Sequence, residues 1–160
     1  MLLGKWGYCL YMINYNIPNS VSNFQAKSPV PGWEGIKSFK DLDFKPHSGF
    51  TDGKAIQARL KFGSRDQFEI SVVQNIGDGT GLYGHENGDT YEVAMWFDGR
   101  DGMLPLSKFD DVLGWQTAND ISRLMMQAHL NDFAWVTSLH NIRDESRKEL
   151  DLDLEDRHGA

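Results

Sequence analysis

A chain of 160 residues with 40% hydrophobic and 12% aromatic content carries enough apolar side chain for one packed domain, which excludes wholesale disorder. Its net charge of −7 opposes a phosphate backbone, so no direct duplex DNA binding is expected, and the single cysteine, Cys9, forms no intramolecular disulfide and fits a reducing compartment. The opening "MLLGKWGYCLYM" is interrupted by Gly4, Lys5 and Gly7 and is followed by no small-residue cleavage site, so neither a targeting signal nor a membrane span is expected; Met12 makes residues 1–11 a leader or an alternative start.

Residues 16–54 hold four of the five prolines and the scattered aromatics Phe24, Trp33, Phe39, Phe44 and Phe50. That composition predicts an irregular N-terminal arm over residues 1–54, tacked to the core by its rings, with a short helix near Glu34 to Leu42. In "AIQARLKF", Ile56, Ala58, Leu60 and Phe62 alternate with Gln57, Arg59 and Lys61; in "FEISVVQ", Phe68, Ile70 and Val72 alternate with Glu69, Ser71 and Val73. Both are predicted strands, joined as an antiparallel hairpin by the short "GSRDQ".

The glycine-rich stretch after Asn75 raises the question of a phosphate cradle. It follows a strand, as a nucleotide-binding loop would, but runs into "TYEVAMWF", a third strand. Phosphate binding of the usual kind needs a helix N-terminus behind the glycines, and Asp78 stands where a cation would be wanted. The stretch is therefore expected to be a connection, mobile at Gly77, Asp78, Gly79, Gly81, Tyr83 and His85, with no cofactor.

Asp98-Gly99 and Asp101-Gly102 signal turns, and Met103 to Leu106 reads as a short edge strand closed by Pro105. From Thr117 the period changes. Thr117 with Asp120 forms a capping-box variant, and Ile121, Leu124, Met125 and Ala128 fall on one face of a helix. Asn131-Asp132 breaks or caps the chain before a second helix with Trp135, Leu139 and Ile142 at helical spacing. The end, "LDLDLEDRHGA", is expected to be a mobile acidic tail over residues 150–160.

Charge is unevenly placed. Residues 1–53 carry five lysines against four acids, whereas residues 98–160 carry thirteen acids against seven bases. The plain consequence is a solvated, solubilising face; the sharper one is a surface that docks on a basic partner, with Asp110, Asp111, Asp144, Glu145, Glu149, Asp151, Asp153, Glu155 and Asp156 as candidate contacts. Asp110-Asp111 is the best paired-carboxylate candidate for catalysis, although acids in a turn before a helix more often cap free amides. His47, His85, His129, His140 and His158 lack metal-ligand spacing, and no serine sits in a nucleophile-elbow context, so neither a metal nor an enzyme is expected.

Taken together, "IQARLKFGSRDQFEISVVQ", the glycine loop, "TYEVAMW" and "FDDVLGWQTANDISRLM" resemble a family of small, mostly uncharacterised proteins of tailed bacteriophages over about residues 56–130. The matching residues are Ser71, Val72 and Val73, then Tyr91, Glu92, Val93 and Ala94, then Asp110 through Trp115. The resemblance implies a phage origin and life in the host cytoplasm but brings no settled activity, and this chain adds the N-terminal arm and the second helix to the pattern.

The expected fold is α+β: an antiparallel sheet of three or four strands from residues 55–106, packed against one or two C-terminal helices in a core domain of residues 55–149. The expected function is that of a small acidic phage protein that binds and inhibits or redirects a host protein with a basic surface. A virion or assembly component and an enzyme or binder of a phosphorylated ligand are the alternatives.

Overall fold

The computed structural model describes residues 35–50, 52–98 and 100–158, the last without the His158 side chain. The readings placed on residues 1–11, Cys9, Phe24 and Trp33 lie outside these residues. The architecture is α+β, with a five-stranded antiparallel sheet packed against one C-terminal helix. The strands are β1 (Lys45–Pro46), β2 (Ala55–Phe62), β3 (Phe68–Asn75), β4 (Tyr91–Phe97) and β5 (Leu113–Gln116), in spatial order β1-β2-β3-β4-β5. The helix, α1, spans Ala118–His158.

Period-2 patterning sets the register of the three central strands. Ala58 lies opposite Val72, Leu60 opposite Ile70 and Phe62 opposite Phe68, and the same row continues to Val93, Met95 and Phe97 of β4. A slip of one residue would turn this whole row out of the core. The row packs against Ile121, Leu124, Met125 and Ala128, all at most 1% exposed, and against Trp135 and Leu139. Each fully buried Val, Leu, Ile, Met or Phe among them contributes roughly 1.5–3 kcal/mol by burial. The other face carries an Arg59–Glu69 ion pair at 3.2 Å, with the Arg59 guanidinium 4.9 Å from the Trp96 ring centroid. Ser71 and Val73, expected on an open face, are buried as well, because β3 is the central strand and is flanked by neighbours on both sides.

Two expected elements are different in the structure. Met103 to Leu106 is not a strand: Leu104 donates one backbone bond to Met95 O at 2.8 Å, and Leu104, Pro105 and Leu106 are buried as coil. The edge position beside β4 belongs instead to Leu113–Gln116, part of the stretch read as a turn. At the opposite edge, β1 supplies two residues from the N-terminal arm. Of the helix expected near Glu34 to Leu42, the described residues 35–42 hold a single 3-10 turn, Phe39–Asp41. Its Phe39, together with Phe44, packs at a tilt against Tyr91 with ring centroids 5.1 and 5.5 Å away, so these two rings do attach the arm to the core.

The helix begins as predicted. Thr117 N–H donates to Asp120 Oδ2 at 2.9 Å, and Asp120 N–H donates to Thr117 Oγ1 at 3.2 Å. At Asp132 the backbone is non-helical (φ 49°, ψ −127°), and two helical arms meet there at a kink. The Asp132 carboxylate accepts from Arg65 Nη2 at 3.2 Å and from Gln67 Nε2 at 3.1 Å, which ties the kink to the β2–β3 turn. Past the kink the chain stays helical to His158, through most of the segment expected as a tail.

Candidate functional site

The C-terminal arm of α1 leaves the core at Ser146, which is 4% exposed. Every described side chain after it is exposed, so residues 147–157, ~16 Å of helix, carry no core packing. Leu139, Arg143, Ser146, Leu150 and Leu154 follow one line at helical spacing. That stripe is buried as far as Ser146 and then continues into water, with Leu150 46% and Leu154 40% exposed. Around it stand Asp144, Glu145, Glu149, Asp151, Asp153, Glu155 and Asp156, all exposed.

This charge arrangement works against the helix that carries it. Glu145, Glu149 and Asp153 repeat at four-residue spacing, as do Asp151 and Glu155, and like charges so placed repel by ~0.2–0.5 kcal/mol per pair. The last acids also lie at the negative end of the helix dipole. Relief comes from Arg157, bonded to Asp153 at 3.1 Å, and from the four-residue spacing of Asp144 with Lys148 and of Arg147 with Asp151. A helix end that packs on nothing and opposes its own dipole is poorly suited to stabilising the fold and well suited to meeting cations.

Asp110 and Asp111 are brought to the same arm by Arg143, a residue the sequence reading passed over. Its guanidinium, 9% exposed, donates to Asp111 Oδ1 at 3.0 Å, to Asp110 O at 2.7 Å and twice to Ser107 O, at 3.2 and 2.9 Å. Asp110 caps an amide within its own turn, accepting from Val112 N–H at 3.2 Å, while the helix start is capped by Thr117 and Asp120. The available signal for Arg143 was a lone cation on the buried stripe of an otherwise acidic helix.

The glycine loop lies elsewhere, across the start of β4 and the edge strand β5. Asn75 Nδ2 donates to Leu82 O and Gly84 O, both at 2.8 Å, and Trp115 N–H donates to Tyr83 O at 2.7 Å. Several of its amides already have acceptors. Gly77 N–H donates to the Glu86 carboxylate and Tyr83 N–H to Glu92 Oε1 at 2.9 Å; Gly79, His85 and Asn87 are likewise bonded within the loop. Two of the protein's own carboxylates thus hold the Gly77 and Tyr83 amides. Asp78 pairs with Lys54 at 3.3 Å, and His85 Nε2 lies 2.9 Å from Gly77 O while its Nδ1 accepts from Asn87 N–H. Gly81 takes a φ of +102°, and Gly79 is required by close approach, since a Cβ there would stand 2.2 Å from Lys54 O. Tyr83 and Trp115 display their rings to solvent, 6.4 Å apart, with Trp115 held at a φ of +58°, a strained value for a bulky residue.

Beside the C-terminal arm, the Asp98–Asp101 turn and the arm enclose a cleft of about 620 Å³ lined by Phe97, Asp98, Arg100, Asp101, Phe133 and His140. Burial lowers the pKa of His140 below its ordinary value, with Arg100 as the next cause. Burial likewise lowers that of His129, near the kink. Among the described residues no group of three or more His, Cys, Asp and Glu side chains is placed to hold a metal ion, and no helix is long and apolar enough to cross a membrane. Comparisons with protein-family models, with curated proteins and with solved structures find no match to this chain.

Proposed function

We propose that this protein is a binding module that acts by docking the acidic C-terminal arm of α1 on a basic surface of another protein. The observation that carries this reading is the stripe of Leu150 and Leu154, on helix beyond the last core contact with the five acids Glu149, Asp151, Asp153, Glu155 and Asp156 around it. Apolar anchors ringed by charge are how interfaces combine affinity with steering: the leucines would seat in a groove, and the acids would raise the association rate. In the phage setting that the sequence resemblance implies, the partner is a host protein, inhibited or redirected by occupation of its basic surface. The protein then acts by binding, without a cofactor.

The test is an affinity capture from host lysate, followed by titration of the captured partner at low and high salt. Wild type and the fourfold variant Asp151→Lys, Asp153→Lys, Glu155→Lys, Asp156→Lys are compared. Wild-type affinity should fall with ionic strength through a slower association rate, and the variant should bind at least tenfold more weakly without a lowered melting temperature. Equal affinity in all four conditions would remove the proposal.

A further inference from the structure

Residues 118–158 contain neither glycine nor proline, yet the helix they form kinks at Asp132. Its two arms double back over one face of the sheet. The first arm leaves β5 just after Gln116, which pairs with Tyr91 at the start of β4. Asp132 sits at the opposite end of that strand, bonded to Gln67, whose carbonyl accepts from Asp98 N–H. Arg143 is back at the Ser107–Asp111 turn, next to Leu113 and its partner Val93. Two helices folded back in this way are ordinarily joined by a loop of about 2–5 residues. Here the join is Asp132 alone. Its φ of 49° and ψ of −127° are close to the mirror image of the first central position of a type II turn, a conformation that glycine serves. With no breaker in the sequence, the kink is held from outside, by Arg65 Nη2 and Gln67 Nε2 on the Asp132 carboxylate.

We propose that Asp132 is the hinge of a domain-swapped dimer, in which the two arms of α1 fuse into one straight helix and residues 133–158 pack on the sheet of a second copy. Every contact of the second arm is then remade between chains, including Trp135, Val136 and Leu139 in the core and Arg143 on Ser107 and Asp110. Only the hinge differs between the two forms. In the monomer it carries a strained backbone; in the dimer Asp132 is an ordinary helical residue and the strain is gone. The bonds from Arg65 and Gln67 oppose the change, so the single chain prevails when dilute. A short hinge under strain lets concentration reverse that balance. The exchange is separate from the docking proposed for residues 147–157, which lie beyond the core contacts in both forms.

The test is refolding of the full chain from urea at micromolar and at millimolar concentration, followed by light scattering on a sizing column. Wild type should be monomeric after dilute refolding and should yield a dimer after concentrated refolding. That dimer should revert only over hours on dilution, because Trp135 must leave the core. Asp132→Ala and Asp132→Gly both lose the bonds to Arg65 and Gln67, but alanine favours the straight helix whereas glycine accepts the kink. The ratio of dimer to monomer should therefore be at least tenfold higher for alanine. Arg65→Met, at an exposed position, should raise the ratio above that of wild type, and it decides the matter if Asp132→Ala does not refold. Exchange itself is read from the Phe68 and Trp135 rings, whose centroids stand 6.0 Å apart. In a dimer refolded from equal parts of isotope-labelled and unlabelled chain, nuclear Overhauser contacts between these rings should cross from one chain to the other. A wild type that stays monomeric at millimolar concentration, equal ratios for the alanine and glycine variants, no increase in Arg65→Met, or a dimer whose Phe68–Trp135 contacts all lie within one chain would each overturn the proposal.

Discussion

Replacing Arg143 with Met keeps the apolar stem of the side chain on the α1 stripe and removes only the guanidinium, which isolates what that group does. Four hydrogen bonds disappear, to Ser107 O, Asp110 O and Asp111 Oδ1. The losses are unequal. Asp111 is 43% exposed and regains water, and Asp110 O keeps Ser107 N–H at 3.1 Å and Ser107 Oγ at 2.8 Å as donors. Ser107 O loses both its guanidinium contacts. One orphaned carbonyl costs ~1–3 kcal/mol and a lost charge-assisted bond ~1.5–3 kcal/mol, so the change should destabilise by about 3 kcal/mol. In a domain of this size that lowers the melting temperature by ~6–12 °C. Urea denaturation gives the free energy, and hydrogen exchange should show faster opening of residues 107–113, including the start of β5. Arg143→Lys should recover part of the loss, since one ammonium cannot serve three acceptors in a fixed fork. A Met variant within ~0.5 kcal/mol of wild type would refute the idea that this side chain clamps the acidic turn to the arm.

Leu124, 1% exposed at the centre of the helix–sheet contact, should not tolerate a charge: Leu124→Asp is expected to yield insoluble or unfolded protein, since an unpaired buried carboxylate costs more than the stability margin of a small domain, and a soluble variant with native circular dichroism would place the wrong face inward. Gly79→Ala should cost ~1–3 kcal/mol, because its Cβ would meet Lys54 O at 2.2 Å and Ile76 O at 2.9 Å, whereas Gly88→Ala, with nothing nearer than 3.7 Å, should stay within ~0.5 kcal/mol; equal denaturation midpoints would contradict the packing of the loop. Because burial lowers the pKa of His129 and His140 in the folded state, the unfolded chain binds more protons once pH drops below the ordinary value of 6.5, so stability held at pH 7.5 should decline as pH falls from 7 to 5.5, and His129→Gln should flatten the decline; a rise in stability over that range, measured by urea titration, would count against it.

The parts of the molecule legible in the sequence are those whose pattern is local. Alternation in residues 56–62 and 68–72 named the core face of β2 and β3, and the spacing of Ile121, Leu124, Met125 and Ala128 with the Thr117–Asp120 cap named the start and buried side of α1. Each repeat is long enough for one period to exclude the other. What tertiary structure alone decided are features whose determinants lie far apart in the chain. Strands of two and four residues have no readable period, so β1 and β5 exist because β2 and β4 offered them free edges. Arg143 acquires its role from carbonyls 33 and 36 residues away. The end of the chain is the clearest case: alternating leucine and acid from Leu150 to Leu154 suits an extended segment, yet it is helical, because extending an existing helix adds a hydrogen bond per residue without the cost of a new nucleus. That continuation is what places Leu150 and Leu154 in line with the buried stripe and turns a row of acids into a candidate docking surface.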